Sequence, residues 1–204
     1  MPLAESEAVI LRAGALGEAD KLVSFFSRRF GRLRGVAPHA RRSRRRFGAA
    51  LEPLSHVQVS FFERESQELV RLSEAELLDA YWDARGDWER SVALNQVVEL
   101  AEWLLPEREP AERAFRLMLA VLGRLKRADS VWLPLTYYQL WMVRLAGWLP
   151  ALEECSRCRK PLDRIPDEGW DRRRAAELQN YLLDVVEYHG ERKLVTRELW
   201  HEKA

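Results

Sequence analysis

The chain lacks the marks of most enzyme classes and of membrane proteins. No apolar run approaches the roughly 18–20 residues that a membrane span needs. The opening MPLAESEAVILR has no basic segment followed by an apolar one, so no secretory signal is expected there. Two cysteines in 204 residues, three positions apart, are too few for a disulfide framework and fit a reducing cytoplasm. There is no phosphate-binding G-x-x-x-x-G-K-[ST] loop, no G-x-G-x-x-G, no G-x-S-x-G and no H-E-x-x-H. The carboxylates form no pair that suggests an acid–base dyad and read as helix surface and caps. The chain is therefore expected not to be an enzyme. One further absence is local. Residues 21–51 hold ten Lys or Arg and no Asp or Glu, in a protein whose net charge is +1.

The densest part of that window is HARRSRRRFGAAL, residues 39–51, with five Arg in six positions. Such a run repels itself unless a polyanion neutralises it, and phosphate backbones are the commonest polyanion. Guanidinium groups hold phosphates bidentately and stack on bases. His39 and Phe47 flank the run and could offer stacking planes. A solvated loop, or an arm that docks on an acidic protein, uses the same residues.

Apolar residues make up 47% of the chain, enough for a sizeable core, and eight of its residues are Trp. Residues 1–80 read as short strands: Ala8–Leu11, Lys21–Arg29, Arg32–Pro38, the alternating His56–Phe62, and Glu68–Leu72. Five short strands broken by Gly and charged turns suit a five-stranded OB-fold. From about Ser73 the period becomes helical. Trp88, Val92, Val98, Ala101 and Leu105 mark one helix ended by Pro106; Pro110 can open the next as its first residue. Tyr137–Leu149 forms a third, bounded by Pro134, and 171–188 and 193–201 close the chain around Gly190, a candidate helix C-terminal residue. The expected fold is α+β in two domains, an OB-fold barrel at 1–80 and an all-α domain at 81–204. No Gly/Ser linker separates them, so the two should pack together.

Within the helical part, Cys155-Ser-Arg-Cys158 lies in a loop at 151–170 and has the spacing of half a zinc knuckle. A structural zinc takes four ligands, and no second Cys pair or His-x₃₋₅-His follows; His189 and His201 are 12 apart. No metal or cofactor is therefore expected. The aromatic segment Trp132–Trp148 reads as core. With Arg124 and Arg127 just before it, a groove near Trp141 would also suit a peptide that ends in an aromatic residue and a carboxylate.

Glu7-Ala-Val-Ile-Leu-Arg12, Gly17-Glu-Ala-Asp-Lys-Leu22, Phe30-Gly31, Arg45-Arg46-Phe47-Gly48 and Leu51-Glu52-Pro53 strongly resemble the RecO family of bacterial recombination mediators. So do Leu145-Ala-Gly-Trp-Leu-Pro150 with Cys155-x-x-Cys158, and the closing Tyr181-Leu-Leu, Tyr188-His189-Gly190 and Lys193-Leu-Val-Thr-Arg197. The resemblance spans nearly the whole chain. It implies an OB-fold followed by a helical domain, a non-catalytic role in DNA repair and recombination, and a cytoplasmic, nucleoid-associated protein. It also implies binding of single- and double-stranded DNA, annealing of complementary strands, and engagement of RecR and the acidic tail of single-stranded DNA-binding protein (SSB) while RecA is loaded on coated DNA. By that resemblance the DNA surface comprises Arg28, Arg32, Arg34, His39, Arg41, Arg42, Arg44, Arg45, Arg46 and Phe47. Arg124, Arg127 and Trp141 are the candidates for the tail. One departure stands out. Zinc-bearing relatives carry a second Cys pair where this chain passes from Pro161-Leu162 to Asp167–Gly169, so Cys155 and Cys158 read as the vestige of a zinc site. Two other readings remain open from the residues alone, a protein-interaction adaptor and an RNA-binding OB-fold protein.

Overall fold

The alternation of apolar and polar residues in the first eighty positions folds into a closed barrel. The computed structural model describes residues 3–42, 46–63, 68–82, 87–149 and 172–201. Its strands are β1 (Leu3–Leu16), β2 (Asp20–Ser27), β3 (Gly31–Ala37), β4 (Ser55–Phe62) and β5 (Val70–Ala80). They close in the order β1-β2-β3-β5-β4, with β3 and β5 parallel and the other pairs antiparallel. This is the five-stranded OB-fold that the strand pattern predicts. Inward residues Ile10, Phe25, Leu33, Val57, Val59, Phe61, Val70 and Leu72 fill the barrel, with Phe25 and Phe30 set edge-on to Phe61. At Gly35 a Cβ would lie 2.4 Å from the Leu72 side chain, which is why β3 can close on β5 there.

Residues 73–80 are strand, where the periodicity predicts the start of a helix. Pairing with β4 runs from Ser60↔Glu74 to Ser55↔Ala80. Those ladder bonds, with Ala75 buried among them, override a helix preference worth only tenths of a kcal/mol per residue.

Five helices follow: α1 (Trp88–Leu104), α2 (Glu112–Arg127), α3 (Trp132–Leu145), α4 (Arg172–Gly190) and α5 (Val195–His201). Asp87 caps α1 by accepting the Arg90 N–H at 2.7 Å. Pro110 lies ahead of α2, whose N-cap is Ala111, and does not occupy its first position. Pro134 falls in the first turn of α3, where a missing N–H costs nothing. Gly190 is the last residue of α4, and the left-handed residue is Glu191 with φ 52°. A Cβ at Gly190 would meet the Trp103 ring at 3.1 Å, so close approach, not backbone handedness, favours glycine there. Glu99 of α1 reaches across the bundle and accepts the N–H groups of Val195 (2.8 Å) and Thr196 (2.9 Å), which fixes the start of α5.

The outer wall of the barrel is not all exposed. Val9, Leu11 and Phe26 point away from the barrel core and join the helical core with Phe115, Met118 and Leu122. The Phe26 and Phe115 rings meet edge to face at 5.5 Å. Ion pairs rim this apolar contact. Arg28 grips Glu112 with two nitrogens at 2.8 Å and also reaches Glu7. Arg12 pairs with Glu102 of α1. Arg32 donates to Leu105 O at 3.1 Å and pairs with Glu107 at 3.0 Å. Arg108 returns to Glu63 and to the Glu68 carbonyl. Lys126 holds Asp79 at 3.0 Å and Ala80 O at 2.9 Å. Burial pushes the Asp79 carboxyl up, but Lys126, the Ala80 N–H and the charge of His56 outweigh it and hold the group below the ordinary carboxylate value.

Candidate nucleic-acid interface

Residues 38–54, between β3 and β4, carry the Arg run, and their geometry divides it. Phe47, Ala50 and Leu51 are buried in the barrel core. Phe47 is 2% exposed, so its ring closes the end of the barrel and does not present a stacking face to solvent. Arg46 lies over that ring at 5.2 Å and donates to Pro38 O at 2.7 Å, while its own carbonyl accepts the Ala75 N–H at 3.0 Å. The start of the loop is pinned to the β1–β2 turn. His39, at φ 57°, donates its N–H to Asp20 at 2.8 Å. Arg41 donates its N–H to Ala19 O at 3.0 Å and its guanidinium to Gly17 O and Glu18 O, both at 3.1 Å. Anchored at both ends, the loop holds His39, Arg41 and Arg42 in solvent. Arg44 and Arg45 lie outside the described residues.

Arg28 and Arg32, two of the sequence candidates, face the helical domain and are engaged by Glu112, Glu107 and the Leu105 carbonyl. Arg34 is exposed and has no carboxylate partner among the described residues. Strand register places it in company that the linear sequence hides. Arg12, Ser24 and Arg34 are direct cross-strand neighbours on the outer face of β1-β2-β3. The next outward row is Gly14, Leu22, Val36 and Arg71. Exposed Arg71 therefore extends the cationic face onto β5, although no charge run announces it. The opposite outer wall is acidic: Glu5–Ser60–Glu74 and Glu7–Gln58–Glu76 form two rows across β1, β4 and β5. The barrel is thus polarised, positive along the rows that hold Arg12, Arg34 and Arg71 and at the loop, negative along the Glu rows of β1, β4 and β5.

In the helical domain, Arg124 and Arg127 are exposed on the last turn of α2. Trp141 of α3 lies 6.1 Å from Tyr137, and its ring is covered by Arg144 at 5.0 Å. His189, at the end of α4, stacks on Trp148 at 4.7 Å. Cys155 and Cys158 lie outside the described residues. A lone C-x-x-C supplies half of a structural zinc's ligands, and among the described residues no three metal-ligating side chains converge.

Comparison with known proteins agrees with this architecture. The description "Recombination protein O N terminal" matches residues 1–81, and "Recombination protein O C terminal" matches 85–167. DNA repair protein RecO of Koribacter versatilis is 41% identical, over 95% of this chain and 96% of its own. That alignment runs over 236 positions, more than the 204 residues here, so this relative has residues without a counterpart in the chain. DNA repair protein RecO of Bifidobacterium animalis is 40% identical over 78% of this chain and 66% of its own. The protein of that name from Anaeromyxobacter dehalogenans is 34% identical over 78% and 62%. The match thus spans about two thirds of those two relatives. The chain belongs to the RecO family of DNA repair proteins.

Proposed function

We propose that this member of the RecO family is a DNA-annealing recombination mediator. It binds single- and double-stranded DNA, pairs complementary strands and, with RecR, helps load RecA onto strands coated by SSB. The observation that carries this reading is the anchored β3–β4 loop beside the polarised barrel. Arg41, Arg42, Arg34 and Arg71 present guanidinium groups on one side, with Arg44 and Arg45 between the loop's two anchors in sequence. The chemistry needs no active site. Cations on the loop neutralise phosphates, lower the repulsion between two strands and leave base edges free to pair. Affinity then falls steeply with salt and has little sequence preference.

The SSB tail would dock on the helical domain. The stripe on α3 of exposed Tyr137, Arg144 and Leu145 with half-buried Trp141 supports that placement, because it offers aromatic surface beside a cation and α3 contains no acid.

Charge reversal of Arg42, Arg44 and Arg45 to Glu tests the loop. Annealing of complementary oligonucleotides should be lost while the circular-dichroism melt is unchanged. Normal annealing by the triple variant would show that the loop does not hold the strand.

A further inference from the structure

The basic window is not the only cationic surface. Helix α2 carries Arg113, Arg116, Arg124 and Arg127, all exposed. At about 100° per residue these four and Ala120 fall within an arc of about 80°. The buried residues Phe115, Met118, Leu122 and Leu125 lie on the opposite side of the helix. None of the four makes an ion pair with a described carboxylate. Glu112, one turn before Arg116, is held by Arg28. The stripe spans about 21 Å along the helix axis. A linear row of guanidinium groups, with only Ala120 between its two halves, matches a linear polyanion. Trp141, the aromatic residue that a peptide would seek, is covered by its own Arg144 and not by Arg124 or Arg127.

We propose that the outer face of α2 is a second nucleic-acid surface, which binds the phosphodiester backbone of a strand other than the one on the β3–β4 loop. This rests on the reading that the loop holds the first strand. The inner face of the same helix is fastened to the barrel by Phe115 against Phe26 and His56, by Glu112 to Arg28, and by Lys126 to Asp79. The two cationic surfaces are therefore held at a fixed separation. A molecule that carries one strand on each brings complementary sequences together without having to meet a second loaded copy.

The test uses the full chain and two non-complementary single strands, one bearing a donor fluorophore and one an acceptor. The variant replaces Arg113, Arg116, Arg124 and Arg127 with Gln. The unaltered protein should give energy transfer between the two strands. The α2 variant should bind one strand but lose the transfer, and its annealing rate should fall at least tenfold. The salt slope of total strand binding should drop by up to about 3, at about 0.7 for each lost phosphate contact. A companion variant with Arg41 and Arg42 changed to Gln reads the first site. Loss of loop binding with unchanged transfer and annealing in the α2 variant would overturn the proposal while leaving the loop's role intact. If the α2 variant lost only the binding of an oligoglutamate peptide, the face would belong to an acidic protein and the proposal would fail. If the unaltered protein bound neither strand at low salt, both readings would fall together.

Discussion

Arg32 and Arg34 are two residues apart on one strand, yet the structure gives them opposite roles, and a paired substitution separates these. Arg32 donates to the Leu105 carbonyl at 3.1 Å and pairs with Glu107 at 3.0 Å, with its side chain 18% exposed. Truncation to Ala leaves a partly buried carbonyl and a carboxylate without their donor. Hydrogen bonds to a charged group contribute about 1.5–3 kcal/mol, so Arg32→Ala should cost about 2 kcal/mol, discounted from the sum of both contacts because Glu107 is half exposed. For a chain of this size that lowers the melting temperature by roughly 4–8 °C. The slope of log affinity against log salt for single-stranded DNA should be unchanged. Arg34→Ala removes an exposed side chain with no carboxylate partner among the described residues. Its stability should stay within about 0.5 kcal/mol. Its salt slope should fall by about 0.7, the value for one phosphate contact with a single strand. Urea unfolding and fluorescence titration at four salt concentrations read both quantities on the same samples. An Arg32→Ala protein of normal stability whose salt slope falls like that of Arg34→Ala would refute the division of the basic window into a seam and a surface.

Two further predictions concern the scaffold. Gly31 has φ 71°, and a Cβ there would lie 2.1 Å from the Glu109 carbonyl oxygen, so Gly31→Ala should displace the α1–α2 connection and cost on the order of 3 kcal/mol. Gly17 has a similar φ of 62° with open space around it, so Gly17→Ala should cost only about 1 kcal/mol; equal midpoints in urea would remove close approach as the cause. Burial pushes the Glu187 carboxyl up, but Lys193, the Leu194 N–H and the charge of Arg197 outweigh it and hold the group below its ordinary value of 4.5. The folded value lies below the unfolded one, so the stabilisation is present above about pH 4.5 and is lost as pH falls through the folded value. Glu187→Gln should therefore be less stable at neutral pH and show a shallower acid limb in a pH series of melts; parallel acid limbs would exclude Glu187 as a source.

The barrel was legible because its signals are local. Val57, Val59 and Phe61 alternate within one strand, and the breaks at Gly17, Phe30-Gly31 and the Arg loop mark where strands turn. The fate of individual Arg residues was not legible, because it depends on partners far away in the chain. Arg28 meets Glu112 across 84 positions and Arg32 meets Leu105 across 73, and no window of sequence carries that information. Phe47 was misleading for a related reason. An aromatic residue beside a charge run looks like a stacking platform, but here the residues after the run turn inward and close the barrel. Arg71 was missed because it stands alone in sequence and joins the cationic face only through its β3 neighbour Val36. The opposite error occurred at 73–80, where helical spacing was present but the free edge of β4 claimed the segment.

Charge density along the chain and charge available to a ligand are therefore different quantities in this protein. The window that is richest in Arg contributes Arg28 and Arg32 to the domain seam, while α2, with its bases spread over fifteen residues and acids close by in sequence, gathers on one face four guanidinium groups that have no ion-pair partner among the described residues. The helix repeat produces that gathering, since positions 113, 116, 124 and 127 share a direction that no linear count can register. The seam gives it mechanical meaning. Because Arg28 and Lys126 clamp the barrel to α2 and Arg32 clamps it to the α1–α2 connection, loosening the seam should change the spacing of the two cationic surfaces without altering the charge on either. Annealing should then fall in seam variants such as Arg32→Ala more than single-strand affinity does. That asymmetry is expected if one molecule positions two strands, and not if annealing depends on the loop alone.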